Sequence, residues 1–399
     1  MGTQKHLVCA GDSFTWRKNL PSDMFHLSGD VKPADDLCLD TLFKLGKIDL
    51  DLLPPKQFVS AMKLAAGKDF DVNTTPWQDV MPTEAHRTFI KNIISQVVVN
   101  SNKLPVNYYR DTWGHGTAVL RSLQPAKVDV QRISDLVSAG VPNLWAVETF
   151  KAQNPHGFAE KITYDRFGTL TGRLTVEAGP SILTLKREHR DLIGPSTKNG
   201  QVVLVDFNAL EPRVLLYEAG KRCDEPDLYK MLSRELGYDR KAVKGAVISE
   251  LYGSSKQALG NALGISGQKL DEFVKKVKVY FDTQKLLDRV KSQFYETGNV
   301  INRYGRPVTI DEPVDNIFLS YYAQSSAVDV TMLGFNKIIK DLAVKAPKVR
   351  PLFVLHDALL LDVPEEDLRA VESFKTVSVP GYVQAFHLKT ERLCTSFKA

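Results

Sequence analysis

Asp239-Arg240-Lys241-Ala242-Val243-Lys244-Gly245-Ala246-Val247-Ile248-Ser249-Glu250-Leu251-Tyr252-Gly253 reads as one helix with two working faces. Arg240, Lys244, Ile248 and Tyr252 recur every fourth residue and share a stripe, and Val243, Val247 and Leu251 form an apolar stripe beside it. One stripe can pack inward while the other meets a ligand. Asp239 is placed to cap the helix, and the cations in its first turns suit an anion as highly charged as a triphosphate. Tyr252, further along, could meet a flat base. A solvated basic face ending in a packed tyrosine fits the same residues. What separates the two readings is where other segments place their carboxylates.

Gln201-Val202-Val203-Leu204-Val205-Asp206-Phe207 is a continuously apolar strand that ends in a carboxylate. A lone carboxylate among valines is costly to bury, so Asp206 is expected to be paired, hydrogen-bonded or metal-bound. Pro212 with Val214, Leu215 and Leu216 predicts a helix starting just after Glu211. Far downstream, Pro351 to Val363 sets His356-Asp357 between two apolar arms, like the turn of a buried hairpin. If Asp206 and Asp357 meet at one sheet edge, they can hold two Mg²⁺ ions as in-line phosphoryl chemistry needs. Taken singly, each acid is equally a cap or turn residue.

The bulk composition leaves room for this and excludes other classes. The chain has 399 residues, 43% of them hydrophobic and 25% charged, which is an ordinary globular balance with enough length for more than one lobe. A net charge of +5 suits a polyanionic partner without requiring one. Cys9, Cys38, Cys223 and Cys394 lack CxxC spacing, which argues against a zinc site or disulfide framework and for a reducing compartment. No stretch reaches membrane-spanning length and the first residues lack a signal-peptide pattern, so a cytoplasmic chain is expected.

Elsewhere, residues 1 to about 80 carry no readable motif. Helices are predicted over Thr83 to Val98 and over Asp129 to Ala139, the latter ended by Gly140. Between them Tyr108, Tyr109, Arg110, Trp113 and His115 interleave aromatic and basic groups, a mix that fits either nucleic-acid stacking or packed loop aromatics. Ile162 to Thr175 reads as a β-ribbon with a glycine-bearing turn. The cluster of Lys186, Arg187, His189 and Arg190 that follows suits a phosphate backbone or a solvated loop. Gln268 to Thr297 reads as a long amphipathic stretch with an outward lysine face, Asn299 to Ile310 as strand, and Asn316 to Lys340 as a helix carrying Gln324 and Asp329.

Together these segments resemble the polymerase domain of family A DNA polymerases, the bacterial DNA polymerase I type. Val205 to Arg213 is similar to that family's motif A, Arg240, Lys244 and Tyr252-Gly253 to motif B, and His356-Asp357 to motif C. Thr171-Gly172-Arg173-Leu174 matches the TGRL segment, and Gln324 with Asp329 matches the Q-x4-D helix. The order and spacing, over roughly residues 160 to 365, are more specific than any single motif. The chain departs from the pattern in four places. Ile248 replaces an aromatic residue facing the nucleotide sugar, Ala358 replaces a carboxylate after Asp357, and Ser320 and Tyr229 stand where Asn and His are usual.

The resemblance implies an α+β, right-hand polymerase fold with an antiparallel palm sheet, helical fingers and a helical thumb. The implied division is a thumb-like helical region over 1–160, palm over 161–225, fingers over 226–298 and palm again over 299–399. It implies a template-directed DNA polymerase that extends a primer 3′-OH with dNTPs and releases pyrophosphate. Asp206 and Asp357 would bind two Mg²⁺, with Mn²⁺ able to substitute, and Lys244 would be catalytic with them. Arg240, Lys244, Ile248, Tyr252, Glu211 and Tyr229 would meet the incoming nucleotide, Glu211 crowding its 2′ position. Arg173, Gln324, His356, Arg213 and Tyr252 would contact DNA, the first three through minor-groove acceptors that every base pair presents.

No Asp-x-Glu pair occurs in the first 150 residues, so no proofreading exonuclease is expected in this chain. A phage-like replication system is the expected setting, with exonuclease, helicase or processivity factor as separate partners of a monomer. Two rivals remain open: a single-subunit RNA polymerase, which Glu211 opposes, and a non-catalytic primer-template scaffold, which Ala358 and Ile248 favour.

Overall fold

The structure is a computed structural model and describes residues 6–10, 13–17, 25–28, 39–48, 55–66, 81–100, 103–310 and 313–393. The chain forms two units, Met1–Gly114 with Gly305–Pro307, and His115–Tyr304 with Val308–Ala399. Among the described residues no helix is long and apolar enough to cross a membrane.

The second unit is built around the strand read first from the sequence. β1 (Gln201–Phe207) is apolar on both faces because both are covered: Val202, Val203 and Val205 are fully buried. Its partners come from the end of the chain: β2 (Arg350–Leu355), β3 (Ala358–Val363), β4 (Thr376–Val377) and β5 (Phe386–Arg392). The order is β2-β3-β1-β5-β4 and each adjacent pair is antiparallel. This mixed helix-and-sheet architecture agrees with the α+β class expected from the sequence.

Helices close around the sheet. α1 (Leu210–Glu218) follows β1 directly, starting one residue ahead of Glu211. α2 (Leu228–Leu236), α3 (Arg240–Leu251), α4 (Lys256–Leu263), α5 (Gly267–Phe281) and α6 (Gln284–Thr297) form the helical insert between the two acids. The stretch expected to be continuous from Gln268 to Thr297 is instead broken. Asp282 adopts a left-handed conformation at φ 51°, ending α5 before Gln284 restarts the helix, and its short polar side chain tolerates that geometry. Phe273, Val274, Val277, Phe281 and Val290 are buried as the pattern predicts, while Lys275, Lys276, Lys278 and Lys285 are exposed.

The long helix α7 (Asp315–Lys345) crosses the sheet, with Val330, Phe335 and Ile338 buried. It approaches β1 closely at Gly334, where a Cβ would lie 2.7 Å from the Phe207 ring. The β-ribbon after Ile162 is present as Thr163–Asp165 paired with Thr175–Ala178.

The first unit departs from a purely helical expectation. A three-stranded antiparallel sheet (His6–Ala10, Ser13–Arg17, Phe25–Ser28) precedes its helices, and the Gly11-Asp12 pair between the first two strands is the hairpin signal that sequence reading passed over. The unit also ends at Gly114, so the helix Val130–Ser138, capped by Asp129 as expected, belongs with the second unit. The predicted helix from Thr83 is present as Thr83–Asn100. Of the interleaved aromatics, Tyr108, Tyr109 and Trp113 are buried on a short helix running into a π-turn, so they pack the core and present no stacking face.

Candidate active site

Antiparallel pairing of β1 with β3 sets Ala358 opposite Asp206, which puts Asp357 one residue from the partner position at the same end of the sheet. The Phe207 amide donates to the Asp357 carbonyl at 3.1 Å, locking that register where the strands part. The two acids, some 150 positions apart in sequence, thus converge as expected. Both strand ends carry a residue in the left-handed region, Ala209 at φ 52° and His356 at φ 56°. Neither is glycine, and such conformations persist only where the surroundings enforce them.

Asp206 and Asp357 face a cavity of about 370 Å³. Glu211 from α1, Tyr229 from α2, and Lys244 and Ile248 from α3 line it as well. Arg173, Gln324 and His356 complete the wall, so most of the sequence-predicted site residues meet around one space.

The electrostatics are those of crowded, half-dry acids. Burial, and then the charge of Asp357, pushes the Asp206 carboxyl up to about 7, against the pull of Lys389 and Lys244. Asp357 is raised by burial, opposed by His356, Lys244 and Arg173. Burial also raises Glu211, opposed by an ion pair that Arg173 makes with it across the cavity. His356 is shifted down, first by burial and then by the charges of Arg173 and Arg190. Lys244 sits with its Nζ 5.8 Å from the centre of the Tyr229 ring, a cation–π contact.

Two predicted residues of the basic stripe lie outside this lining. Arg240 lies outside the cavity lining and makes two hydrogen bonds to Asp227, the N-cap of α2, at 2.9 and 3.2 Å. Tyr252 is the C-cap of α3, with its hydroxyl buried and lacking a hydrogen-bond partner. Asp239 caps the helix as predicted, accepting from the amides of Lys241 and Ala242.

Arg213 corrects the expectation of a DNA contact. It is completely buried, and its guanidinium donates to the carbonyls of Asn208, Cys223, Glu225 and Pro226. It fastens the loop after α1 and has no face left for a phosphate. No local pattern marks this, because an arginine two residues beyond an acid fits either role.

Sequence reading missed Lys389, which β5 sets directly opposite Asp206. The alternation of Phe386, Leu388 and their polar neighbours signals a strand, but nothing local assigns its partner.

The carboxylates suit a hard divalent cation. Among the described residues no group of three or more His, Cys, Asp or Glu is placed to enclose a metal. Two carboxylates open to a cavity match Mg²⁺, which keeps waters and substrate phosphates among its ligands.

No protein-family model matches the chain. A DNA polymerase of Mycobacterium phage L5 is 27% identical over 172 residues, a match spanning 41% of this chain and 28% of the phage protein. Among solved structures, the polymerase domain of Pol1 from M. smegmatis, in complex with DNA primer-template and dNTP, superimposes with a TM-score of 0.61 at 13% identity. That likeness covers 88% of this chain and 80% of the other. In fold, this chain is similar to that polymerase domain.

Proposed function

We propose that this chain extends a primer on a DNA template with dNTPs. The observation that carries the reading is the convergence of Asp206 and Asp357 on one cavity with Lys244 and Glu211. The five-stranded sheet serves as palm, helices α2–α6 as fingers, and the helices of the first unit as part of the thumb. The 3′-hydroxyl oxygen bonds to the α-phosphorus of the nucleotide, the bond to pyrophosphate breaks, and the hydroxyl proton passes to solvent water.

Asp206 and Asp357 would hold two Mg²⁺, which would lower the pKa of the 3′-hydroxyl and neutralise the triphosphate. Lys244 contacts the phosphates and protonates the leaving pyrophosphate. Arg240 joins it by exchanging Asp227 for a phosphate as α3 moves inward, an induced-fit closure that brings Tyr252 beside the templating base. Glu211 occupies the 2′ side of the sugar and favours deoxynucleotides, with Ile248 and Tyr229 on the same wall. Arg173, Gln324 and His356 test the minor groove of the new pair, where acceptors are alike in all Watson–Crick pairs.

Primer extension with Mg²⁺ tests the reading, comparing wild type with Asp357→Asn and dNTPs with rNTPs. Extension by wild type alone, with dNTPs preferred, is expected. DNA binding without extension by wild type supports the scaffold reading instead, and rNTP preference the RNA polymerase.

A further inference from the structure

The first turn of α2 engages both cations of the α3 stripe, by two different chemistries. Tyr229 meets Lys244 through its ring, with the Nζ 5.8 Å from the centre. A ring face attracts the charge without accepting a conventional hydrogen bond, so the ammonium keeps its donors for a ligand in the cavity it lines. Asp227, two residues earlier, takes Arg240 along one edge. Its Oδ2 accepts from the Arg240 Nε at 2.9 Å and its Oδ1 from Nη2 at 3.2 Å. Donors paired in this fork are the ones a phosphate uses.

The carboxylate is held in place by a second duty. Asp227 is the N-cap of α2, and its Oδ1 also accepts from the Lys230 amide at 3.0 Å. Burial pushes the Asp227 carboxyl up, but the hydrogen bonds and charge of Arg240, with the Lys230 amide, outweigh it and hold the group below the usual aspartate range. Asp239, the acid beside Arg240 in sequence, is turned to the amides of Lys241 and Ala242. Among the described residues, the ion pair of Arg240 is therefore with Asp227 alone. Arg240 stands one turn before Lys244, ~6 Å along the helix axis. A chain of phosphates gripped by Lys244 would meet Arg240 next, in direct competition with a carboxylate that is already positioned.

We propose that Asp227 competes with bound phosphates for the Arg240 guanidinium and so hastens the departure of pyrophosphate. The proposal rests on the polymerase reading for the identity of the leaving group. Both partners of the pair are partly exposed, and an ion pair of that kind is weak. It yields to a nucleotide that is also held through its base and sugar, and it recaptures Arg240 from free pyrophosphate, which has neither. Because the cap fixes Asp227, recapture orders no further side chain. The site thus binds dNTP less tightly than its cations allow and clears its product faster. Asp227 touches no reacting atom, so it is a positioning residue that acts through Arg240.

The test is calorimetric binding of Mg²⁺-pyrophosphate and Mg²⁺-tripolyphosphate to the full chain without DNA. Asp227→Asn and Asp227→Ser remove the charge and keep the cap, since Asn and Ser cap helices about as well as Asp. Thermal unfolding near that of wild type checks that the cap is kept. Each variant binds both anions about two- to fivefold tighter than wild type, the range for a partly exposed ion pair. The gain disappears in an Arg240→Gln background, which has no guanidinium to release. In primer extension, KM for dNTP and the inhibition constant for pyrophosphate fall together by that factor, whereas replacing a merely structural aspartate would raise KM.

Anion binding that is unchanged or weaker in both variants overturns the proposal. So does a gain of equal size in the Arg240→Gln background, which a general loss of negative charge would give. The titration reads no chemistry, so failure of wild type to extend a primer would sink the polymerase reading and leave the competition for Arg240 to be decided by binding.

Discussion

Asp206 and Asp357 share the end of one antiparallel strand pair, and the proximity that suits them to divalent cations makes them poor neighbours without cations. Asp206 keeps its proton up to about pH 7 in the folded chain, whereas an unfolded aspartate ionises near ~3.9. The folded state therefore binds the extra proton between those values. Stability of the metal-free protein falls as pH rises from about 4 to 7, by at most ~1.4 kcal/mol per pH unit. Thermal unfolding in chelator across that range is expected to show the decline, and Asp206→Asn to remove most of it. Added Mg²⁺ should raise Tm more at pH 8 than at pH 6, since the ion competes with the proton. Identical profiles for wild type and Asp206→Asn would refute this assignment.

Tyr229 holds Lys244 by its ring. The face of the ring, not the hydroxyl, makes that contact, so Tyr229→Phe should keep nucleotide kcat/KM within about twofold. Tyr229→Leu loses a cation–π contact of ~1–2 kcal/mol and should lower kcat/KM about five- to thirtyfold. Equal losses in both variants would show that the hydroxyl, and not the ring, matters.

Arg173 bridges to Glu211 and opposes the upward shift of both Glu211 and Asp357. Removing its charge raises both carboxyls further, so the acid limb of the kcat/KM profile should move to higher pH in Arg173→Gln. Glu211→Ala should increase rNTP incorporation relative to dNTP in single-nucleotide insertion assays. A profile whose acid limb stays in place in Arg173→Gln would mean that neither carboxyl limits the rate.

What the sequence made legible was whatever depends on local pattern. The apolar run Gln201–Phe207 formed the strand its composition suggested, Asp239 capped its helix as its position implied, and the arms around His356-Asp357 paired as a hairpin. Placement of Asp206 beside Asp357 followed from the resemblance and not from spacing. What stayed hidden depends on distant partners. Arg213 is defined by carbonyls up to thirteen residues on, and Lys389 by a strand nearly two hundred residues away. Tyr108, Tyr109 and Trp113 looked as suited to stacking as to packing until burial decided between them.

Gly334 and Gly245 both lie inside helices, and sequence alone predicts that alanine stabilises each by ~0.5–1 kcal/mol. Their surroundings separate them. A Cβ at Gly245 meets nothing within 4 Å, so Gly245→Ala should show that gain. At Gly334 the added carbon would sit 2.7 Å from the Phe207 ring and 3.4 Å from Val377. Phe207 cannot swing aside, because its ring packs against Phe335 and Phe386 at centroid distances of 5.5 and 6.2 Å. Overpacking of this kind costs ~1–3 kcal/mol, which exceeds the helical gain. Chemical denaturation should therefore find Gly334→Ala less stable than wild type and Gly245→Ala more stable. Phe207 is the residue after Asp206 and its amide fixes the Asp357 carbonyl, so displacement of the ring strains both acids together. Primer extension by Gly334→Ala is expected to fall about tenfold or more under conditions where the variant is still folded, as a small misplacement of reacting groups permits. A destabilised variant with wild-type extension would show that the acids hold their positions independently of the Phe207 packing.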